Sequence, residues 1–193
     1  MKGKLDEGDP PGGGRVAVVG LGNVLMGDDG FGPFVVQQLL ARFEFPDRVT
    51  VTDLGTPGLD LIPFIDGAAV LVVVDTVALD EPPGAVRVFR GEELRAAPRS
   101  ARLSPHDPGL LEALDMLELG GEGPREVVLV GVVPQRCGVG PGLSEVARGA
   151  VDEAMAAVVE HLGSLGVKVK RREEPLAADI WWEDPVTFRG RQT

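Results

Sequence analysis

The feature that most restricts the fold is a short apolar run at residues 16–19, which ends at Gly20 and passes into a glycine-punctuated loop. The run is mostly β-branched and does not alternate with polar residues, which is typical of a central strand buried on both faces. Two adjacent carboxylates, Asp28 and Asp29, follow before an amphipathic helix that we expect to begin at Phe31. Because ligands of open α/β sheets bind at the carboxyl ends of the strands, the sequence predicts a functional site around these two residues.

Strand-like and helix-like patterns alternate through the rest of the chain. The predicted strands are residues 15–20, 49–54, 69–75, 85–90 and 126–133, and the predicted helices are residues 31–43, 59–65, 107–117 and 143–165. This alternation predicts an α/β fold, a three-layer α/β/α sandwich around a largely parallel five-stranded sheet. The strand at 85–90 alternates between apolar and polar residues and is interpreted as an edge strand.

The length of 193 residues is enough for one domain with a sizeable core. Composition and periodicity predict a disordered lead at 1–14, a single domain at 15–166 and a C-terminal tail at 167–193 that lies mostly outside the core. Trp181 and Trp182, near the end of this tail, are interpreted as packing it onto the body rather than stacking on a ligand.

Charge and composition exclude several classes of partner. The net charge of −11 argues against nucleic acid and against an anionic membrane surface. No apolar run approaches the roughly 20 residues that span a bilayer, and the first residues lack the apolar segment of a signal peptide. The only cysteine, Cys137, cannot form an internal disulfide and is interpreted as a loop thiol. We therefore expect a cytoplasmic protein without a membrane or nucleic-acid partner.

Three polar residues occupy similar positions at the ends of predicted elements: Asp29 after the first strand, Asp75 at the end of the third, and His106 before a later helix. Two carboxylates and an imidazole suit a divalent ion such as Ni²⁺ or Zn²⁺. Each residue also has a plain alternative as a helix or turn cap. A dinucleotide site is disfavoured, because the glycine fingerprint that begins at Gly20 has Leu25 in place of its last glycine.

Five pieces of the sequence, in this order, resemble the hydrogenase maturation proteases: VAVVGLGNVLMGDDGFG, TDLGTPGLDL, VLVVVDTV, LSPHDPGL and VVLVGVVP. The resemblance extends over about residues 16–162. The family comprises endopeptidases that trim the C-terminus of the large subunit of nickel–iron hydrogenases. It implies an α/β/α sandwich with a mixed, mainly parallel sheet.

The resemblance also implies site residues. Asp29, Asp75 and His106 match the family's metal-contacting positions and are catalytic candidates. The nickel would be carried by the substrate, a nickel–iron hydrogenase large-subunit precursor, so no tightly bound cofactor is expected.

Asp53, at the end of the second predicted strand, is a further catalytic candidate, as a general base or a substrate contact. Gly55, Thr56 and Gly58 in the following loop are expected to bind substrate. The general base remains open between Asp53 and the two metal-contacting aspartates. A non-catalytic chaperone that binds nickel or the precursor is the alternative function.

Overall fold

The computed structural model describes residues 14–96 and 108–184. The strands in this part of the chain are β1 (Arg15–Leu21), β2 (Phe43–Glu44), β3 (Val49–Gly55), β4 (Ala68–Thr76), β5 (Val86–Arg90), β6 (Glu126–Val132) and β7 (Lys170–Arg171). The helices are α1 (Phe31–Arg42), α2 (Ile62–Ile65), α3 (Gly91–Ala96), α4 (Pro108–Gly120), α5 (Glu145–Gly149) and α6 (Val151–Ser164). Short 3-10 turns cover Gly27–Gly30, Gly58–Leu61 and Trp181–Glu183.

The main sheet has the strand order β3-β1-β4-β6-β5. The first four strands of this order run parallel, and β5 pairs antiparallel with β6 at one edge. The predicted fold class, a three-layer sandwich with a mixed and mainly parallel five-stranded sheet, is therefore confirmed. Within the described ranges, no helix has the length and apolar character needed to cross a bilayer.

Alternation along β1 divides the core between the two faces of the sheet. Val16 and Val18 join a cluster that α1, α5 and α6 cover, whereas Ala17 and Val19 join a second cluster under α2 and α4. Every residue of β1 after Arg15 is buried, as a central strand covered on both faces requires. The unbroken apolar run at the start of the chain therefore sets the position of β1 at the middle of the sandwich.

The long predicted helix at 143–165 is two helices, α5 and α6, separated at Ala150. Its predicted start is correct, because the Ser144 hydroxyl accepts a hydrogen bond from the Ala147 N–H at 3.1 Å and caps α5. The break follows Gly149, and glycine is a poor helix former. A second difference is β2, a two-residue strand that the sequence pattern did not predict.

The C-terminal segment is more deeply packed than its composition predicted. Lys170 and Arg171 of β7 pair with β2, and the indole of Trp182 is 2% exposed within the cluster under α1 and α6. Val167 and Trp182 are buried exceptions to the expectation that this segment lies mostly outside the core, and that expectation stays a prediction. The interpretation that the tryptophans pack the segment onto the body is confirmed. The boundaries at 14 and 166 stay predictions, and residues 1–13 and 185–193 lie outside the described residues.

Candidate active site

Three aspartates lie at the carboxyl edge of three neighbouring parallel strands. Asp53 is on β3, Asp29 follows β1 in the 3-10 turn Gly27–Gly30, and Asp75 is near the end of β4. Asp29 and Asp75 are 1% and 0% exposed, and Asp53 is partly buried. The parallel order β3-β1-β4 is what collects these residues, which are far apart in the sequence, at one edge.

Gly22 lies close to two of these aspartates. Gly22 has a φ of +127°, and a Cβ there would collide with the backbone carbonyl oxygen of Asp29. The same Cβ would lie 3.7 Å from Oδ1 of Asp75. The backbone of Asp29 and the carboxylate of Asp75 thus flank one glycine. We refer to these two residues as the Asp29–Asp75 pair.

Asp28, the neighbour of Asp29, has a saturated set of hydrogen bonds. Its Oδ2 accepts from the N–H groups of Gln135 at 2.8 Å and Arg136 at 3.0 Å, and from the Ser144 hydroxyl at 2.9 Å. Its Oδ1 accepts from the Ser144 N–H at 2.6 Å. We call this arrangement the Asp28 anchor. It fastens the glycine-rich loop at 134–142 and the start of α5 to the loop that follows β1.

The anchor also sets the titration of its carboxylate. Burial on its own raises the pKa of Asp28, but the hydrogen bonds from Ser144, Arg136 and Gln135 stabilise the ionised form and outweigh it, so the pKa lies below its usual value of 3.8. The plain alternative for Asp29, a helix cap, is wrong, and Asp28 does not cap the helix either. Neither side chain makes a cap hydrogen bond at the 3-10 turn or at α1.

Asp29 is buried but incompletely bonded. Its Oδ2 accepts a hydrogen bond from the Asn23 N–H at 2.9 Å. Its Oδ1 is shielded from solvent and has no hydrogen-bond partner within residues 14–96 and 108–184. In Asp75, Oδ1 accepts from the Thr76 N–H at 2.6 Å. A buried carboxylate oxygen without a partner is costly, which indicates a position reserved for a cation or a proton donor.

Asp53 faces a cleft of about 350 Å³. Its Oδ1 accepts from the Gly55 N–H at 2.9 Å, and burial raises its pKa above the usual 3.8 despite that bond. Gly55 and Thr56 line the cleft with Asp53, whereas Gly58 begins the next 3-10 turn. The geometry thus places two of the three predicted substrate-binding residues beside Asp53.

The third predicted metal-contacting residue, His106, lies outside the described residues. In the described ranges, no three His, Cys, Asp or Glu side chains are grouped closely enough to hold a metal ion. The set Asp29, Asp75 and His106 therefore stays a prediction. In chemical type, the carboxylate oxygens of Asp29 and Asp75 suit a divalent cation that a further ligand would complete.

Cys137 lies closer to the site than the sequence suggested, because the loop that carries it is held by the Asp28 anchor. Desolvation and the nearby charges of Asp29, Asp28 and Asp75 raise the pKa of the thiol to about 11. The thiol therefore stays protonated at neutral pH, which agrees with the interpretation of an unreactive loop thiol. Nothing in the sequence indicates that Cys137 lies near the candidate site.

His161 is far from this edge of the sheet. It is buried in α6 with Nε2 3.6 Å from a carboxylate oxygen of Glu126, the residue that begins β6 at the opposite, amino-terminal edge. Burial lowers the pKa of His161, so the ring is neutral at pH 7. His161 therefore lies away from the candidate site.

Comparisons with known proteins identify the family. A family model described as hydrogenase maturation protease matches residues 33–161. The hydrogenase 2 maturation protease of Escherichia coli is 32% identical over 160 residues, which cover 82% of this chain and 97% of that protein. The expression and formation protein HoxM of Azotobacter vinelandii is 33% identical over 160 residues, which cover 82% of this chain and 77% of that protein.

The fold comparison agrees with the sequence comparison. The hydrogenase maturating endopeptidase HybD from Escherichia coli superimposes with a TM-score of 0.76 at 32% identity, covering 82% of this chain and 98% of that one. The chain belongs to the hydrogenase maturation protease family.

Proposed function

We propose that this chain is the endopeptidase that removes a C-terminal extension from the large subunit of a nickel–iron hydrogenase after nickel has been inserted, and that it recognises the substrate's nickel. The observation that carries the proposal is the buried Asp29 Oδ1, which has no hydrogen-bond partner in the described part of the chain and belongs to the Asp29–Asp75 pair. Family membership supplies the reaction class, and this oxygen supplies a position for a cation.

In this proposal the substrate's nickel is a part of the substrate that the site binds. When a precursor without the ion docks against these two buried carboxylates, no cation offsets their negative charge, which opposes association. With the ion present, Asp29 and Asp75 become ligands, and His106 is the predicted third. The same interaction positions the peptide, because the ion fixes the orientation of the bound subunit.

Hydrolysis then needs a water molecule held by a base beside the scissile carbonyl. The water oxygen bonds to the carbonyl carbon, the C–N bond breaks, and the amine leaves with a proton. Asp29, Asp53 and Asp75 are the candidate bases. Asp53 differs from the other two in being only partly buried and in lining an open cleft, which leaves its carboxylate accessible to a substrate.

The decisive experiment compares one large-subunit precursor in two states, loaded with nickel and empty, incubated with the same enzyme preparation. We expect cleavage of the loaded precursor only, seen as a shift to the smaller mature subunit on a denaturing gel. We also expect little metal in the purified enzyme, because an incomplete set without thiolates holds an ion weakly. Equal cleavage of both precursors would exclude nickel recognition and favour direct use of an aspartate as base.

The His106→Ala variant tests the predicted third ligand and separates the two functions that the sequence left open. We expect it to abolish cleavage and leave the free energy of unfolding of the chain unchanged within about 1 kcal/mol. Normal cleavage by this variant would remove His106 from the site. If the unsubstituted chain binds the loaded precursor stably but never cleaves it, the chain acts as a maturation chaperone instead.

A further inference from the structure

The cleft beside Asp53 is built from two distant parts of the chain. One wall is formed by the glycine loops that follow β1 and β3, and it consists of Gly22, Asn23, Val24, Asp53, Gly55 and Thr56. The other wall is the pair Trp181 and Trp182 from the C-terminal segment, which we call the tryptophan wall. The cleft adjoins the Asp29–Asp75 pair, because the Asn23 N–H donates to Asp29 and Gly22 lies against Asp75.

The C-terminal segment is fixed on the body at several points, so the tryptophan wall has a defined position. A carboxylate oxygen of Glu183 lies 2.6 Å from the guanidinium of Arg148 in α5. That guanidinium also stands over the ring of Phe34, 5.0 Å from its centre. Upstream, the N–H of Leu176 donates to the Ala41 carbonyl oxygen at the end of α1. The segment is therefore docked against α1 and α5 near the site.

The two tryptophans have different surroundings. Trp182 is buried in the core, and its ring meets the ring of Trp181 edge-on, with their centres 5.8 Å apart. Trp181 is only partly buried and lines the cleft. Trp182 therefore anchors the segment, and Trp181 presents part of an indole surface to whatever enters the cleft.

We infer that Trp181 is a substrate-binding residue whose indole contacts a side chain of the precursor's peptide segment beside the bond to be cut. This inference rests on the proposed function. An indole offers a large, rigid apolar face that packs on the aliphatic stem or planar face of a peptide side chain. A volume of about 350 Å³ is at the small end for ligand pockets, so the occupant is one or two residues of an extended peptide rather than a folded surface.

The test measures the dissociation constant of the nickel-loaded precursor, which does not depend on cleavage. Trp181→Ala should raise the dissociation constant about tenfold, the effect of losing a contact worth ~1.4 kcal/mol. Trp181→Phe keeps an aromatic face and should recover most of the affinity. Where cleavage is followed, KM should rise in parallel while kcat changes by less than about twofold, as expected for binding made equally in ground and transition states.

Ile180→Ala is the matched control. Ile180 packs against the same core cluster as Trp181, yet it does not line the cleft. Ile180→Ala should lower thermal stability to a degree similar to Trp181→Ala. Its dissociation constant should stay within about twofold of that of the unsubstituted chain, because Ile180 makes no contact with substrate. An unchanged dissociation constant in Trp181→Ala, or equal weakening in Ile180→Ala, would overturn the inference.

The two proposals fail in different ways. If the unsubstituted chain binds the loaded precursor but does not cleave it, the endopeptidase proposal fails and the Trp181 comparison still gives its answer. If cleavage is normal and Trp181→Ala binds as tightly as the unsubstituted chain, only the role of Trp181 is lost. If the unsubstituted chain does not bind the precursor at all, both proposals are wrong.

Discussion

Asp28 and Asp29 are adjacent in the sequence and carry the same side chain, yet they belong to two differently built regions. In the Asp28 anchor, both carboxylate oxygens accept hydrogen bonds, and the groups that donate come from residues 135, 136 and 144. In the Asp29–Asp75 pair, Asp29 has one bonded oxygen and one buried oxygen without a partner among the described residues.

The difference separates a carboxylate that holds the structure together from one that we propose as a cation ligand. A carboxylate whose oxygens are fully bonded gains little from a ligand, because the ligand must displace existing bonds. A buried oxygen that lacks a partner carries an unrelieved desolvation cost, which a cation can offset. The anchor therefore holds the loops in place, and the pair beside it is left available for chemistry.

The largest expected effect is on cleavage, in Asp29→Asn. Asparagine keeps the shape and keeps an oxygen that accepts from the Asn23 N–H, but it loses the negative charge. We expect cleavage to fall about 10³-fold, within the range for losing one catalytic or ligand group. The free energy of unfolding should stay within about 1 kcal/mol of the unsubstituted chain, because a buried, incompletely bonded charge is removed. Steady-state cleavage and urea unfolding measure the two quantities.

Asp28→Asn is the converse substitution, and its expected effect is on stability. An asparagine has one acceptor oxygen, and its NH₂ group would face the N–H donors that the carboxylate now satisfies. We expect a loss of about 3 kcal/mol in the free energy of unfolding, typical of breaking a buried, charged hydrogen-bond network. Urea unfolding at pH 7 measures it. If Asp28→Asn leaves stability unchanged while Asp29→Asn lowers it, the distinction between the two regions is wrong.

A smaller effect on the free energy of unfolding is expected when the pH is lowered. The pKa of Asp28 is lower in the folded chain than its usual 3.8, so its stabilising contribution is complete above about pH 4 and is lost as pH falls through the folded value. The stability difference between the unsubstituted chain and Asp28→Asn should thus be constant from pH 7 to about pH 4.5 and shrink below that. Urea unfolding of both chains across this range measures the difference. If the stability difference between the two chains already narrows near pH 6, the lowered pKa of Asp28 is wrong.

Local patterns predicted the framework of this fold well. The unbroken apolar run at 16–19 identified an interior strand of the sheet, because only a strand covered on both faces lacks alternation. The start of α5 has a local cause, because the Ser144 hydroxyl accepts from the N–H of a residue in the first turn. The alternating pattern near residue 88 predicted the edge strand β5.

The sequence-based predictions missed several features for physical reasons that local sequence patterns do not contain. Composition placed the segment after residue 166 mostly outside the core and its two tryptophans against the body, but how deeply Trp182 is buried depends on what surrounds it in the folded chain. The break between α5 and α6 and the short strand β2 depend on what packs against them. The role of Asp28 depends on hydrogen-bond donors more than a hundred residues away.

The sequence by itself determined the order of strands and helices, the carboxyl-edge position of Asp29, Asp53 and Asp75, and the family. These follow from periodicity and from the rule that parallel strands end at one edge. Only the tertiary structure decided which of two identical neighbouring carboxylates is saturated, where Cys137 lies, and that Trp181 forms a wall of the cleft. Each of these is set by contacts between residues far apart in the chain, and such contacts exist only once the sheet and its covering segments have been assembled.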